Sequence, residues 1–137
     1  MVILLPVDGS DASSRTVDHF LRHLEWYKGE VEVHLLNVQP NVAGAFLSRD
    51  MVAKFQQEEG MKALRPVMSK LDAAKVKYQR HIGAGDPAET ISGYAKEHGC
   101  DLVFMGTRGM GSVSNLVLGS VAMKVIHLTP VPVLLVK

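Results

Sequence analysis

Residues Val2 to Val7 are apolar almost without interruption and stop at Asp8-Gly9-Ser10. A strand covered on both faces reads this way before a turn. Beyond the turn, Val17, Phe20, Leu21 and Leu24 recur at helical spacing, with Ser10 or Asp11 placed as the N-cap and Gly29 as the stop. Val31 to Val38 opens with Val31, Val33 and Leu35 alternating against Glu32 and His34, which predicts a second strand. Asn41 to Ser48 reads as a loop, and a long helical stretch follows from about Asp50 to Ala74. Gly60 and Pro66 fall inside that stretch, so a kink or break is expected near Arg65.

Val76 to Ile82 carries Lys77, Gln79, Arg80 and His81 among its apolar positions, a mixture suited to a solvated edge strand. Gly83-Ala84-Gly85 then turns the chain. Asp86, Pro87 and Glu89 stand in register as N-cap, first-turn proline and capping-box acid, so a helix begins there. Leu102 to Met105 is a further apolar strand, followed by a glycine-rich stretch from Gly106 to Gly111. A last amphipathic helix carries Leu118, Val121, Ala122, Val125 and Ile126, and Val131 to Val136 closes the chain as a fifth strand.

Strands and helices alternate throughout, and parallel strands joined by helical crossovers are right-handed, so the pattern predicts an α/β three-layer sandwich. Its centre is a parallel sheet with helices on both faces. In such sheets ligands sit beyond the carboxyl ends of the strands, at the switch point. That places a site at Asp8, Val38 and Gly106.

A length of 137 residues argues for one domain, spanning residues 1–137. With 47% hydrophobic and 21% charged residues the composition is that of an ordinary globular protein. Fifteen Lys and Arg against fourteen Asp and Glu leave a formal net charge of +1. No global field gathers nucleic acid or an anionic membrane, so neither is expected as a partner. Cys100 is the only cysteine, which rules out an internal disulfide and suits a reducing compartment. The N-terminus lacks a signal-peptide pattern and no apolar run reaches membrane-spanning length, so a cytoplasmic location is expected.

The chemistry concentrates in Gly106-Thr107-Arg108-Gly109-Met110-Gly111 and the run that leads to Gly119-Ser120. Glycines let backbone approach a ligand closely and adopt positive φ, exposing successive N–H groups to an anion. A helix starting near Gly119-Ser120 adds free amides and the positive end of its dipole. Both features suit a polyphosphate. The stretch is not a Walker A loop, because Ser112 stands where that loop needs lysine. Nor is it a Rossmann fingerprint, since Asp8-Gly9-Ser10 follows the first strand in place of Gly-x-Gly-x-x-Gly.

The spacing Gly106-x2-Gly109-x9-Gly119-Ser120 resembles the signature of the ATP-binding branch of the universal stress protein family. Pro6-Val7-Asp8-Gly9-Ser10, Gly85-x-Pro87 and Pro130-Val131-Pro132-Val133 are similar to that family as well, so the likeness spans the chain. The resemblance implies five parallel strands in the order 3-2-1-4-5 and an ATP site, with ADP or AMP as alternatives and Mg²⁺ on the phosphates. It implies that Asp8, beside Pro6 and Val7, reaches the ribose or adenine, and that the Val38 backbone recognises the adenine edge. Met105 and Gly106 would lie near the sugar. Arg108, Gly109, Gly119, Ser120, Val121 and Ala122 would surround the phosphates. The implied strand order makes Val131 to Val136 an apolar edge, and such an edge invites a homodimer.

Each of these residues has a plainer reading. Gly106 to Gly111 read alone is a flexible connector, and Asp8 read alone is a turn-forming acid before Gly9. Arg108 read alone is a solvated loop cation, and Asn37 read alone ends its strand. Met110 is read as core filler or as a cover over a ligand. His19 and His23 are four apart on a helix without a third metal ligand nearby in sequence. Cys100 is read as packing at the start of a buried strand. Asp11-Ala12-Ser13-Ser14 is helix-start chemistry, with no histidine placed by sequence to activate a serine. No general base is visible. The function expected is a nucleotide-binding regulatory or stress-response module, with a slow ATP hydrolase or phosphoryl-transfer enzyme as one alternative and a nucleotide-independent dimeric module as another.

Overall fold

The computed structural model describes residues 1–42, 46–108 and 118–137. Five strands, β1 (Val2–Pro6), β2 (Glu32–Gln39), β3 (Tyr78–Ala84), β4 (Leu102–Gly106) and β5 (Val133–Val136), form one sheet in the order β3-β2-β1-β4-β5. Every pairing is parallel, with Pro6 opposite Leu36, Leu4 opposite Val103 and Met105 opposite Leu135. The helices are α1 (Asp11–Arg22), α2 (Arg49–Ala73), α3 (Pro87–Glu97) and α4 (Ser120–Leu128).

Alternate side chains of the central strands feed two separate cores. Ile3, Leu5, Val33, Leu35 and Phe104 pack with Val17 and Phe20 of α1 and with Leu64, Val67 and Leu71 of α2. Leu4, Leu36, Val103 and Met105 pack on the other face with Ala88, Ile91 and Ala95 of α3 and with Ala122 and Val125 of α4. A strand buried on both faces must be apolar at every position, which is why β1 and β4 carry no alternation. β2 departs from its sequence pattern, because His34 is buried with its Nδ1 2.9 Å from the Tyr94 hydroxyl of α3.

Three helices start where a side chain accepts a first-turn amide. Ser10 accepts from the Ser13 N–H, Ser48 from Met51 and Asp86 from Glu89. α1 ends sooner than its periodicity predicts, and Leu24 lies in a short 3-10 turn over Leu24–Trp26 before the chain reverses at Gly29, φ +83°.

The break expected near Arg65 is absent, for α2 runs through both Gly60 and Pro66 as one helix of 25 residues. Pro66 and Lys62 are exposed, so the Lys62 carbonyl that loses its helical donor faces water. Gly60 is buried, and a Cβ there would stand 2.7 Å from the Ile82 side chain of β3. It marks a close helix–strand approach.

Candidate functional site

β2, β1 and β4 are adjacent and parallel, so their carboxyl ends share one edge of the sheet. The switch point lies here, because α1 and α2 cover one face while α3 and α4 cover the other. Val38, Pro6 with Val7 and Asp8, and Met105 with Gly106 are thereby brought to neighbouring strand ends, as the sequence predicts.

At the end of β1, Val7 is buried and its N–H donates to the Leu36 carbonyl at 2.8 Å. Asp8 is exposed, and its Oδ1 accepts from the Ser10 N–H at 2.9 Å and from the Ser10 hydroxyl at 2.5 Å. The Ser10 hydroxyl oxygen in turn accepts from the Ser13 N–H and caps α1. Asp8 thus builds the β1–α1 turn. Gly9 needs to be glycine twice over, since its φ is +84° and a Cβ would stand 3.1 Å from Ala63 of α2.

At the end of β4, Met105 is buried and Gly106 is half-buried. A Cβ on Gly106 would lie 2.9 Å from Thr16 Oγ1 and 3.2 Å from the Arg108 carbonyl. The Thr107 N–H donates to the Val136 carbonyl at 2.8 Å, and the Thr107 carbonyl accepts from the Gly119 N–H at 2.6 Å. That second bond draws the start of α4 against the end of β4. Gly109 and Met110 lie outside the described residues, as does the middle of the loop before α2.

α4 starts differently from the other three helices. Its N-cap is Gly119, φ −60° and ψ 152°, which supplies no side-chain hydrogen bond. The Gly119 carbonyl accepts from Met123, so the amides of Ser120, Val121 and Ala122 lie in the first turn, where a helix offers no internal acceptor. Of the two grounds the sequence offers for glycine, positive φ does not apply here. The reason is contact, because a Cβ on Gly119 would lie 2.9 Å from the Thr107 carbonyl oxygen.

Ser120 is exposed, Val121 is half-buried and Ala122 packs into the core beneath α4. Lys124, one turn further on, is engaged with Asp86 at 3.1 Å and Glu89 at 3.8 Å, tying α4 to the start of α3. Its hydrogen bond to Asp86 raises the ammonium pKa above the ordinary lysine value. Asp86 is held below the usual carboxylate value by the Glu89 N–H and then by Lys124.

Asn37 is the residue here that sequence reasoning passes over. It is buried, and its Nδ2 donates to the Val7 carbonyl at 2.8 Å while its Oδ1 accepts from Gln39 Nε2 at 2.7 Å. An amide directly after the apolar pair Leu35-Leu36 and directly before Val38, at the strand end where the sequence places the site, is the signal that would have found it.

The model of the Universal stress protein family matches residues 1–137. Universal stress protein MJ0531 of Methanocaldococcus jannaschii is 34% identical over 137 residues, covering 98% of this chain and 81% of that protein. The solved structure of hypothetical protein MJ0577, from the same organism, superposes with a TM-score of 0.82 at 26% identity over 99% of this chain and 94% of that one. A universal stress protein family member from Arabidopsis thaliana, solved with AMP bound, superposes at 0.73 with 19% identity over 100% of this chain and 91% of that one.

Proposed function

Because the chain belongs to the universal stress protein family, we propose that it is an adenine-nucleotide-binding regulatory module of the cytoplasm that works without dedicated catalytic residues. The observation that carries this reading is the start of α4. Three helices have a side-chain cap, whereas α4 has Gly119, drawn by the Thr107 carbonyl against the end of β4. Uncapped first-turn amides and a helix dipole together favour an anion, and phosphates are the anion such a start commonly takes.

In this reading Ser120, Val121 and Ala122 offer backbone amides to the phosphates, which Arg108 and Gly109 would also surround. Met105 and Gly106 flank the sugar, Pro6, Val7 and Asp8 lie toward the ribose, and the Val38 backbone meets the adenine edge. The AMP held by the Arabidopsis thaliana neighbour supports an adenine nucleotide as the class of ligand. Among the described residues no group of three or more His, Cys, Asp or Glu is arranged to hold a metal. In this reading a Mg²⁺ ion is carried on the phosphates of ATP. Among those residues, too, no helix is long and apolar enough to cross a membrane.

Calorimetry and thermal unfolding with ATP and Mg²⁺ test the proposal. Ligand at a hundred times its dissociation constant should add about 2.7 kcal/mol of stability. Neither heat nor a thermal shift at millimolar ATP, ADP or AMP would sink it.

A further inference from the structure

The ends of three strands are tied together by two side chains and one backbone bond. The regular pairing of β1 with β2 closes with the Val7 N–H on the Leu36 carbonyl. The next acceptor, the Val7 carbonyl, is taken by the side chain of Asn37 at 2.8 Å. Asn37 accepts in turn from Gln39 Nε2, and the Gln39 carbonyl accepts from the Gly85 N–H at 2.9 Å, at the end of β3. Only one orientation of the Asn37 amide satisfies both neighbours, since rotating it would set its oxygen against the Val7 carbonyl and its NH₂ against another donor. With Asn37 at 2% exposure, these bonds act in a low dielectric where an unmade one is costly.

The two segments so fixed are Asp8, directly after Val7, and Val38, directly between Asn37 and Gln39. Resting on the nucleotide reading above, we infer that Asn37 is a positioning residue of the site. It holds the ribose-side turn at Asp8 and the base-side backbone at Val38 in one fixed relation, and it acts on the nucleoside half of the ligand alone. The phosphate half belongs to β4 and α4, to which Asn37 makes no hydrogen bond among those named. Burial does not by itself call for an amide at this position, because the neighbours on its face of the sheet, Leu35 and Val7, are aliphatic.

Asn37→Leu keeps the same branched outline of four heavy atoms, though with bulkier methyl groups, and removes both bonds. Its affinity for ATP and for inorganic tripolyphosphate, which has the phosphates without the nucleoside, would be measured by calorimetry beside wild type. ATP affinity should fall roughly tenfold and tripolyphosphate affinity should stay within about twofold. Gln39→Ala, at a half-buried position that tolerates truncation, should change the same ratio in the same direction by less.

Equal loss for both ligands would make the role structural only, and unchanged ATP binding would overturn it outright. Amide hydrogen exchange in ligand-free protein judges the positioning independently of the nucleotide. Exchange should quicken at Asp8 and Val38 in Asn37→Leu while the amides of β4 stay protected; no change at those two positions overturns the inference. A wild type that binds no nucleotide, with that exchange pattern intact, would instead fault the proposed function.

Discussion

Gly119 and Gly106 were legible in the sequence by their spacing, yet the reason that spacing exists is visible only in three dimensions. Sequence reasoning offers two grounds for such glycines, positive φ and close approach to a ligand; Gly119 has φ −60°, and the close approach seen is to the Thr107 carbonyl. A valine there would need its Cβ 2.9 Å from that oxygen, closer than packed atoms come, so the β4–α4 junction must open. Gly119→Val should then lower ATP affinity by at least about tenfold while circular dichroism stays that of the wild type, because the strain falls on one connection outside both cores. Affinity equal to wild type would move the phosphates elsewhere. Asp8 teaches the opposite lesson: the plain reading, a turn-forming acid, is what its hydrogen bonds with Ser10 describe. Asn37 is hard to read from sequence because a single polar residue at a strand end has many uses, and only the partners of its amide choose among them.

At the scale of elements, the capping signals were the most legible and the long helix the least. Asp86-Pro87-x-Glu89 gave the start of α3 to the residue, since cap chemistry is local and needs no tertiary partner. Because Asp86 is held below 3.8 in the folded protein, it contributes stability above that value, and the contribution is lost as pH falls from there through the lower folded pKa. Asp86→Ala should accordingly lower the Tm at pH 7, and by progressively less as pH falls below 3.8, as followed by thermal unfolding across that range. In α2 the expected break does not occur: Gly60 and Pro66 are breakers by propensity, whereas Pro66 is exposed and Gly60 meets Ile82 closely within one continuous helix. Two glycines inside helices make the contrast measurable. Nothing lies within 4 Å of a Cβ at Gly93 of α3, so Gly93→Ala should stabilise by up to about 1 kcal/mol. Gly60→Ala gains the same propensity but drives its Cβ into Ile82 at 2.7 Å, and it should destabilise. Denaturant unfolding of both mutants checks the opposite signs.

For the whole molecule, the alternation of strands and helices was enough to imply the parallel sheet, and the family likeness supplied the order that places β5 at an edge. What that edge does is a question of surface. All four residues of β5 remain partly exposed, and Met123, Ile126 and Leu128 of α4 are 47%, 43% and 46% exposed. The carbonyls of Pro132 and Val136 accept from Val103 and Thr107, so this alternate set of backbone groups faces β4. The N–H and C=O of Val133 and Leu135 therefore point outward from the sheet. An apolar edge with outward donors and acceptors favours a second strand, and two copies meeting about a two-fold axis satisfy it with one self-complementary patch. We therefore expect a homodimer joined along β5. Val133→Pro removes one outward N–H, keeps most of the apolar volume and leaves the bonds to β4 in place, as proline on an edge can. Sedimentation should show the wild type as a dimer at micromolar concentration and the mutant shifted toward monomer, with ATP affinity little changed because the site lies beyond the strand ends. A wild type that sediments as a monomer would leave the edge of β5 without this partner.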